Sequence, residues 1–298
     1  MKRRLLLALV VVLLLSSGCG ALDWSKSRAM LAREDALHPR DAGTGLLPNA
    51  GPISFPGKGY EKAALLIHGF GATPFDLKPL ANALYKEGIA VYAPLLPGHG
   101  TSVRDFERSG KKDWTAASDE AFDELSRKYR KVYVVGFSMG GDIALDIAAK
   151  KKPVGVVLLA PCVFINGRNK FITPEYSIKN LSRFLFTDYV ITQPSFCFDK
   201  KALEGRPVYD LMPIKALREL VSLEESARLE LPEVKEPLLV IQSKKDPTVD
   251  ISGPGYIITH VSSGDKGVFW VERSGHLLCL DAEKGRVISK VSQFISEH

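Results

Sequence analysis

The sequence predicts an α/β fold built on a mainly parallel sheet, and three observations carry that expectation. Short apolar runs alternate with stretches of helical period, several of those runs are continuously apolar, and a Gly-x-Ser-x-Gly turn joins one run to the next helical stretch. The chain has 298 residues, 45% hydrophobic and 25% charged, which suits one large globular domain with an insertion.

Strands are expected at residues 53–55, 63–67, 89–93, 131–135, 154–159, 238–241 and 268–271, about seven in all. Val156-Val157-Leu158-Leu159 shows no polar alternation, as a strand covered on both faces requires. Thr73 is placed to cap a helix with Pro74 at its first position and Asp76 near its positive end. Leu77, Leu80 and Leu84 fall on one face of that helix and Gly88 stops it. Val287, Ile288, Val291, Phe294 and Ile295 repeat at helical spacing, so a last helix should pack onto the sheet. Between Cys162 and about Glu233 the alternation stops, and it resumes only at Pro237. An insertion there lies over the C-terminal edge of the sheet, where loops bind ligands, and reads as a small cap over residues 162–233. Its Phe164, Phe171, Phe184, Phe186 and Phe198 suit an apolar pocket, several of them as cap core.

The N-terminus reads as an address. Lys2, Arg3 and Arg4 precede an unbroken apolar run from Leu5 to Leu15 and then Ser16-Ser17-Gly18-Cys19. The run is short for a bilayer, which takes about 20 apolar residues. Small residues before a cysteine resemble a bacterial lipoprotein signal, so residues 1–18 are expected to be removed and Cys19 to carry lipid. The alternatives are an ordinary signal peptide or an uncleaved anchor. The location expected is the extracytoplasmic side of a bacterial membrane, and the outer membrane in a Gram-negative host because Gly20 follows. Residues 19–51, with weak periodicity and Gly43, Gly45, Pro48 and Gly51, read as a tether and lead-in rather than core. The formal charge of +6 falls to +3 without Lys2, Arg3 and Arg4, too little to argue for nucleic acid. With Cys19 lipidated, Cys162, Cys197 and Cys279 remain, an odd number that leaves at least one thiol free. No metal-ligand spacing occurs, so no metal is expected. Nothing in the sequence specifies an oligomeric state.

Gly136-Phe137-Ser138-Met139-Gly140 is a weak motif alone, but it follows a strand and opens a helix. That context lifts a serine into a strained, exposed elbow, and it singles out Ser138 as nucleophile. A hydroxyl needs a base, which should follow in the order serine, acid, histidine. His276, in the loop after the last strand, fits. His38, His260 and His298 read as surface residues. Asp246 lies just beyond the strand at 238–241 and is the expected acid. Asp250 competes, though it is better placed to start the next helix. Backbone N–H groups of Met139 and of Phe70, in His68-Gly69-Phe70-Gly71, are the expected oxyanion donors. His68 reads as a support of its loop, as does His99 in Pro97-Gly98-His99-Gly100, which could also line the pocket.

From about residue 52 to the end, these stretches together with Lys245-Asp246 and Ser274-Gly275-His276 resemble the bacterial carboxylesterase and monoacylglycerol lipase branch of the α/β-hydrolases. The resemblance implies an α/β-hydrolase fold over residues 52–298, a cap over an acyl pocket, and hydrolysis of short- to medium-chain acyl esters or monoglycerides without a cofactor. The same triad would serve a thioesterase or peptidase, and a catalytically idle binding lipoprotein is the rival of another class. The signal segment and Cys19 depart from the cytosolic members.

Overall fold

The computed structural model describes residues 24–57, 59, 61–166, 178, 188–192 and 197–298. The signal segment expected at residues 1–18, Cys19, Phe171, Phe184 and Phe186 lie outside the described residues.

All seven expected strands form, and they make one sheet: β1 (Ile53–Phe55), β2 (Lys62–Ile67), β3 (Ala90–Ala93), β4 (Lys131–Phe137), β5 (Gly155–Leu159), β8 (Leu238–Ser243) and β9 (Lys266–Val271). Their order is β1-β3-β2-β4-β5-β8-β9, with β1 antiparallel and the others parallel. Chain order reverses between β2 and β4, so the loops leaving these two strands diverge and open a crevice at their C-terminal ends.

Burial on both faces explains the continuous apolar runs. Leu65, Val134, Val156 and Leu158 face one core with α4 (Lys111–Lys128), α5 (Met139–Lys151) and α6 (Ile214–Glu230). Leu66, Val135, Val157 and Leu159 face the other, with α2 (Lys78–Lys86) and the C-terminal helix α8 (Lys284–Glu297). Successive strand residues alternate between the two cores, and each fully buried Leu or Val contributes about 1.5–3 kcal/mol. In α8 the expected stripe is buried at Val287, Val291, Phe294 and Ile295.

The helix expected after Thr73 is two pieces. Pro74–Leu77 is a 3₁₀ turn whose N–H of Phe75 donates to Thr73 Oγ1, and α2 starts only at Lys78. Pro74 favours the initiating turn, and Pro79 has no N–H to continue the ladder across the junction.

One expectation is corrected. The lead-in contains a helix, α1 (Trp24–Leu37), and buries Leu31, Leu47 and Ala50 in the same core as α5. Its apolar residues are too widely spaced to show as a stripe, so the periodicity missed it. The insertion, expected to hold helical and aromatic-rich segments and no further strand of the parallel kind, adds to these a separate antiparallel ribbon of β6 (Tyr189–Ile191) and β7 (Leu211–Pro213), followed by α6. Arg206 of the insertion makes a two-armed ion pair with Asp76, Nε to Oδ1 at 2.6 Å and Nη2 to Oδ2 at 2.7 Å, which ties the insertion to the turn before α2. Helix α3 (Val103–Arg108) and α7 (Gly253–His260) complete the described helices. No helix among the described residues is long and apolar enough to cross a membrane.

Candidate active site

The site is built where β4 turns into α5. Ser138 adopts φ 55°, ψ −121°, a conformation that side-chain-bearing residues rarely hold. The turn is so tight that a Cβ on Gly136 would lie 2.0 Å from the Gly140 carbonyl oxygen, and one on Gly140 would lie 2.1 Å from that of Ile67. Both positions therefore need glycine. The serine is 6% accessible rather than openly exposed. The loops after β2, β5 and β9 enclose it: Cys162 donates its N–H to the Ser138 carbonyl at 3.3 Å, and a Cβ on Gly69 would lie 3.1 Å from that of Ser138.

The structure brings Ser138, His276 and Asp246 together from three loops. The Ser138 hydroxyl donates to His276 Nε2 at 2.9 Å, and His276 Nδ1–H donates to Asp246 Oδ2 at 2.8 Å. Asp246 also accepts from Gln242 Nε2 at 3.0 Å and from the amides of Thr248 and Val249 at 2.8 and 3.2 Å. Burial opposes its ionisation, but the facing imidazole, its hydrogen bond and the two amides outweigh this and hold the carboxyl below its ordinary value. Asp250 does not join the site. Its Oδ1 accepts from the Ser252 N–H at 2.9 Å, just ahead of α7. His260 and His298 lie on the surface side of the fold, at the ends of α7 and α8, as expected.

Met139 is the first residue of α5, so its N–H belongs to the helix's positive end, which lacks intrahelical acceptors. Asp142, in the same first turn, is fully buried. Burial pushes its carboxyl well above the ordinary range, against the field of Arg228. Phe70 follows Gly69 in the loop that presses on Ser138, and its ring packs 4.8 Å from Phe106 and 5.9 Å from Trp114. His68 supports that loop: Nδ1–H donates to the Gly69 carbonyl at 2.9 Å, and Nε2 accepts the Leu96 N–H at 3.0 Å. Burial drives its pKa down to about 4, so the ring is neutral. His99 is also buried, donating from Nδ1 to the Pro97 carbonyl at 3.1 Å among Phe106, Trp114 and His68.

Sequence reading missed the residues that hold the His276 loop. Asp281 accepts from Gly275 N at 2.6 Å through Oδ2, and from Phe198 N and Asp199 N at 2.8 and 2.9 Å through Oδ1. Glu283 Oε2 accepts from Glu272 N at 2.7 Å and Arg273 N at 2.5 Å. Only the proximity of two acids to Ser274-Gly275-His276 hinted at this. Cys162, Cys197 and Cys279 are all free and buried, and burial raises each thiol above its ordinary value.

Two curated relatives match this chain over most of their length. A thermostable monoacylglycerol lipase of Bacillus sp. (strain H-257) is 29% identical over 235 residues, 78% of this chain and 90% of the relative. A carboxylesterase of Bacillus subtilis (strain 168) is 25% identical over 248 residues, 83% of this chain and 97% of the relative. Among solved structures, one from a study of LipS and LipT, two metagenome-derived lipolytic enzymes, superposes with a TM-score of 0.76 at 26% identity, covering 85% of this chain and all of that one. The model of the family described as serine aminopeptidase, S33 (Hydrolase_4) matches residues 60–283, and the chain therefore belongs to that family of α/β-fold serine hydrolases.

Proposed function

We propose that the chain hydrolyses monoacylglycerols or short- to medium-chain acyl esters through an acyl-enzyme on Ser138, with His276 as base and Asp246 as its orienting acid. The observation that carries this reading is the continuous hydrogen-bond chain from Asp246 through His276 to Ser138, at 2.8 and 2.9 Å. The likeness to a monoacylglycerol lipase and a carboxylesterase supports an ester as substrate.

In this mechanism Ser138 Oγ bonds to the ester carbonyl carbon while its proton passes to His276 Nε2. The carbonyl oxygen, now an oxyanion, is received by the N–H groups of Met139 and Phe70. Collapse expels the alcohol, which takes the proton from His276. Water then adds to the acyl carbonyl, giving its proton to His276, and the carboxylic acid leaves as Ser138 is reprotonated. Asp246 keeps Nδ1 protonated throughout and balances the imidazolium. No step calls for a cofactor.

Fluorophosphonate labelling followed by a substrate panel tests the proposal. Wild type should label and Ser138→Ala should not, and turnover should be highest on monoacylglycerols or on p-nitrophenyl esters between acetate and decanoate. Cleavage of aminoacyl anilides or acyl thioesters with no turnover of esters would overturn the ester assignment, and failure to label would overturn the enzyme reading. Phe164, Phe198 and the aromatics of residues 162–233 are proposed to set acyl preference.

We further propose that the mature protein begins at lipid-bearing Cys19 on the extracytoplasmic side of a bacterial membrane, the outer membrane in a Gram-negative host. The basic, apolar and small-residue order of residues 2–18 motivates this. Up to three acyl chains, at ~0.8 kcal/mol per buried CH₂, would hold the enzyme where amphiphilic esters concentrate. Mass spectrometry of the N-terminal peptide and detergent partitioning of Cys19→Ser decide it, and a mature terminus elsewhere sinks it.

A further inference from the structure

We infer that Glu34, His38 and Asp210 form a site for one divalent cation of the zinc class, which clips the N-terminal helix to the inserted cap. Glu34 lies in the last turn of α1 and His38 just beyond its end, where the His38 N–H still donates to the Glu34 carbonyl at 3.0 Å and keeps the two side chains on the same side. Asp210 immediately precedes β7 in the insertion. One ligand atom from each lies within 4.8 Å of the other two.

The distances favour a cation over a direct ion pair. His38 Nε2 is 3.3 Å from Asp210 Oδ2 and 3.9 Å from Glu34 Oε1. A charge-assisted hydrogen bond would draw them to about 2.7–2.9 Å. The Nε2 atom is nonetheless buried and makes no hydrogen bond. A ring nitrogen shut from water, facing two carboxylates and bonded to neither, is a costly arrangement if nothing sits between them. Ligands about 2.0–2.1 Å from a tetrahedral zinc ion stand about 3.3–3.4 Å apart. The His38–Asp210 spacing already has that value, and the His38–Glu34 spacing reaches it with a small side-chain adjustment.

The surroundings are also prepared for a ligand. Glu34 is 4% accessible, and its Oε1 accepts the Asp210 N–H at 2.9 Å, with the Leu211 N–H also on the carboxylate. Such outer contacts fix a ligating carboxylate in place. The Asp210 side chain is 56% exposed, which leaves an entry path and room for water as a fourth ligand. One imidazole with two carboxylates suits zinc better than calcium or magnesium, which favour all-oxygen sets. Sequence spacing could not reveal the trio because Asp210 is remote in the chain from the helix. The bound ion would make the seating of the ribbon β6–β7 on α1 depend on metal, independently of the ester chemistry at Ser138.

The test uses the purified full chain stripped with EDTA, with Zn²⁺ alone as the probe in calorimetric titration and Co²⁺ as a spectroscopic substitute. Wild type should bind one Zn²⁺ at this site, with a melting temperature that rises with Zn²⁺ concentration. His38→Gln should raise Kd at least about tenfold and abolish the visible Co²⁺ band, and Asp210→Asn should weaken binding similarly. Fluorophosphonate labelling of Ser138 should be the same in all three proteins. Absence of Zn²⁺ binding, or equal binding by wild type and His38→Gln, would overturn the site and leave the trio as a simple ion pair. Should His38→Gln lose its circular dichroism spectrum, the exposed Asp210→Asn decides: unchanged affinity there refutes the proposal.

Discussion

Lowering the pH from neutrality to 4 should cost this protein about 3 kcal/mol of stability through His68 alone. The ring is enclosed between the loops after β2 and β3, and its Nε2 can take a proton only by giving up the Leu96 N–H. Burial, opposed by the Gly69 carbonyl, holds its pKa at about 4 against 6.5 in an unfolded chain. As pH falls through 6.5 the unfolded chain gains a proton that the native chain refuses, so stability is complete above 6.5 and drains away until about 4. That interval, at about 1.4 kcal/mol per pH unit, gives the figure of about 3 kcal/mol. His99 is displaced in the same direction by its own burial and by His68, and it adds to the loss. Urea unfolding followed by tryptophan fluorescence suits the measurement, because Trp114 is fully buried 5.7 Å from the His99 ring. His68→Gln offers an amide oxygen to Leu96 without titrating. Its stability should fall less steeply across the window, by up to about 1.4 kcal/mol per pH unit. Parallel curves for the two proteins would refute the reasoning.

Three further outcomes are expected. Ser138→Ala or His276→Ala should lower ester turnover by roughly 10⁴ to 10⁶ while leaving the melting temperature nearly unchanged, and retention of a tenth of the activity would reject the assignment. Asp246→Asn should cost about 10⁴ in kcat by disturbing the His276 tautomer, whereas Asp250→Asn, which removes only a turn contact before α7, should cost less than about tenfold. Equal losses would move the acid. Gly140→Ala should fail to give soluble protein, since its Cβ would meet the Ile67 carbonyl at 2.1 Å, and a folded, active variant would show that the elbow can relax.

What the sequence revealed follows from the range of the forces involved. The inner strands were legible because each is covered on both faces and so is written as a local apolar run, Val156 to Leu159 being the plainest. The meeting of Ser138, Asp246 and His276 was legible because a parallel sheet delivers the ends of β4, β8 and β9 to one edge. Helix α1 was not, because Leu31 is the only apolar side chain described in it that is deeply buried and the stripe is too thin to register. The ribbon β6–β7 escaped because its strands are three residues long and pair across a long insertion. Asp281 and Glu283 act through backbone amides, which every residue but proline has, and no side-chain pattern announces that choice.

The position of Asp281 bears on how such a cap can be exchanged. One carboxylate grips the amides of Phe198 and Asp199 in the insertion with one oxygen and the Gly275 amide beside His276 with the other. A graft that replaces the insertion with a backbone lacking those two amides would leave the buried Asp281 Oδ1 with only the Ala282 N–H, beside the loop that carries His276. The new specificity would then arrive with a loosened histidine. Laboratory recombination of caps among these hydrolases should therefore treat residues 197–199 and 275–281 as one heritable unit, with crossover points placed outside both.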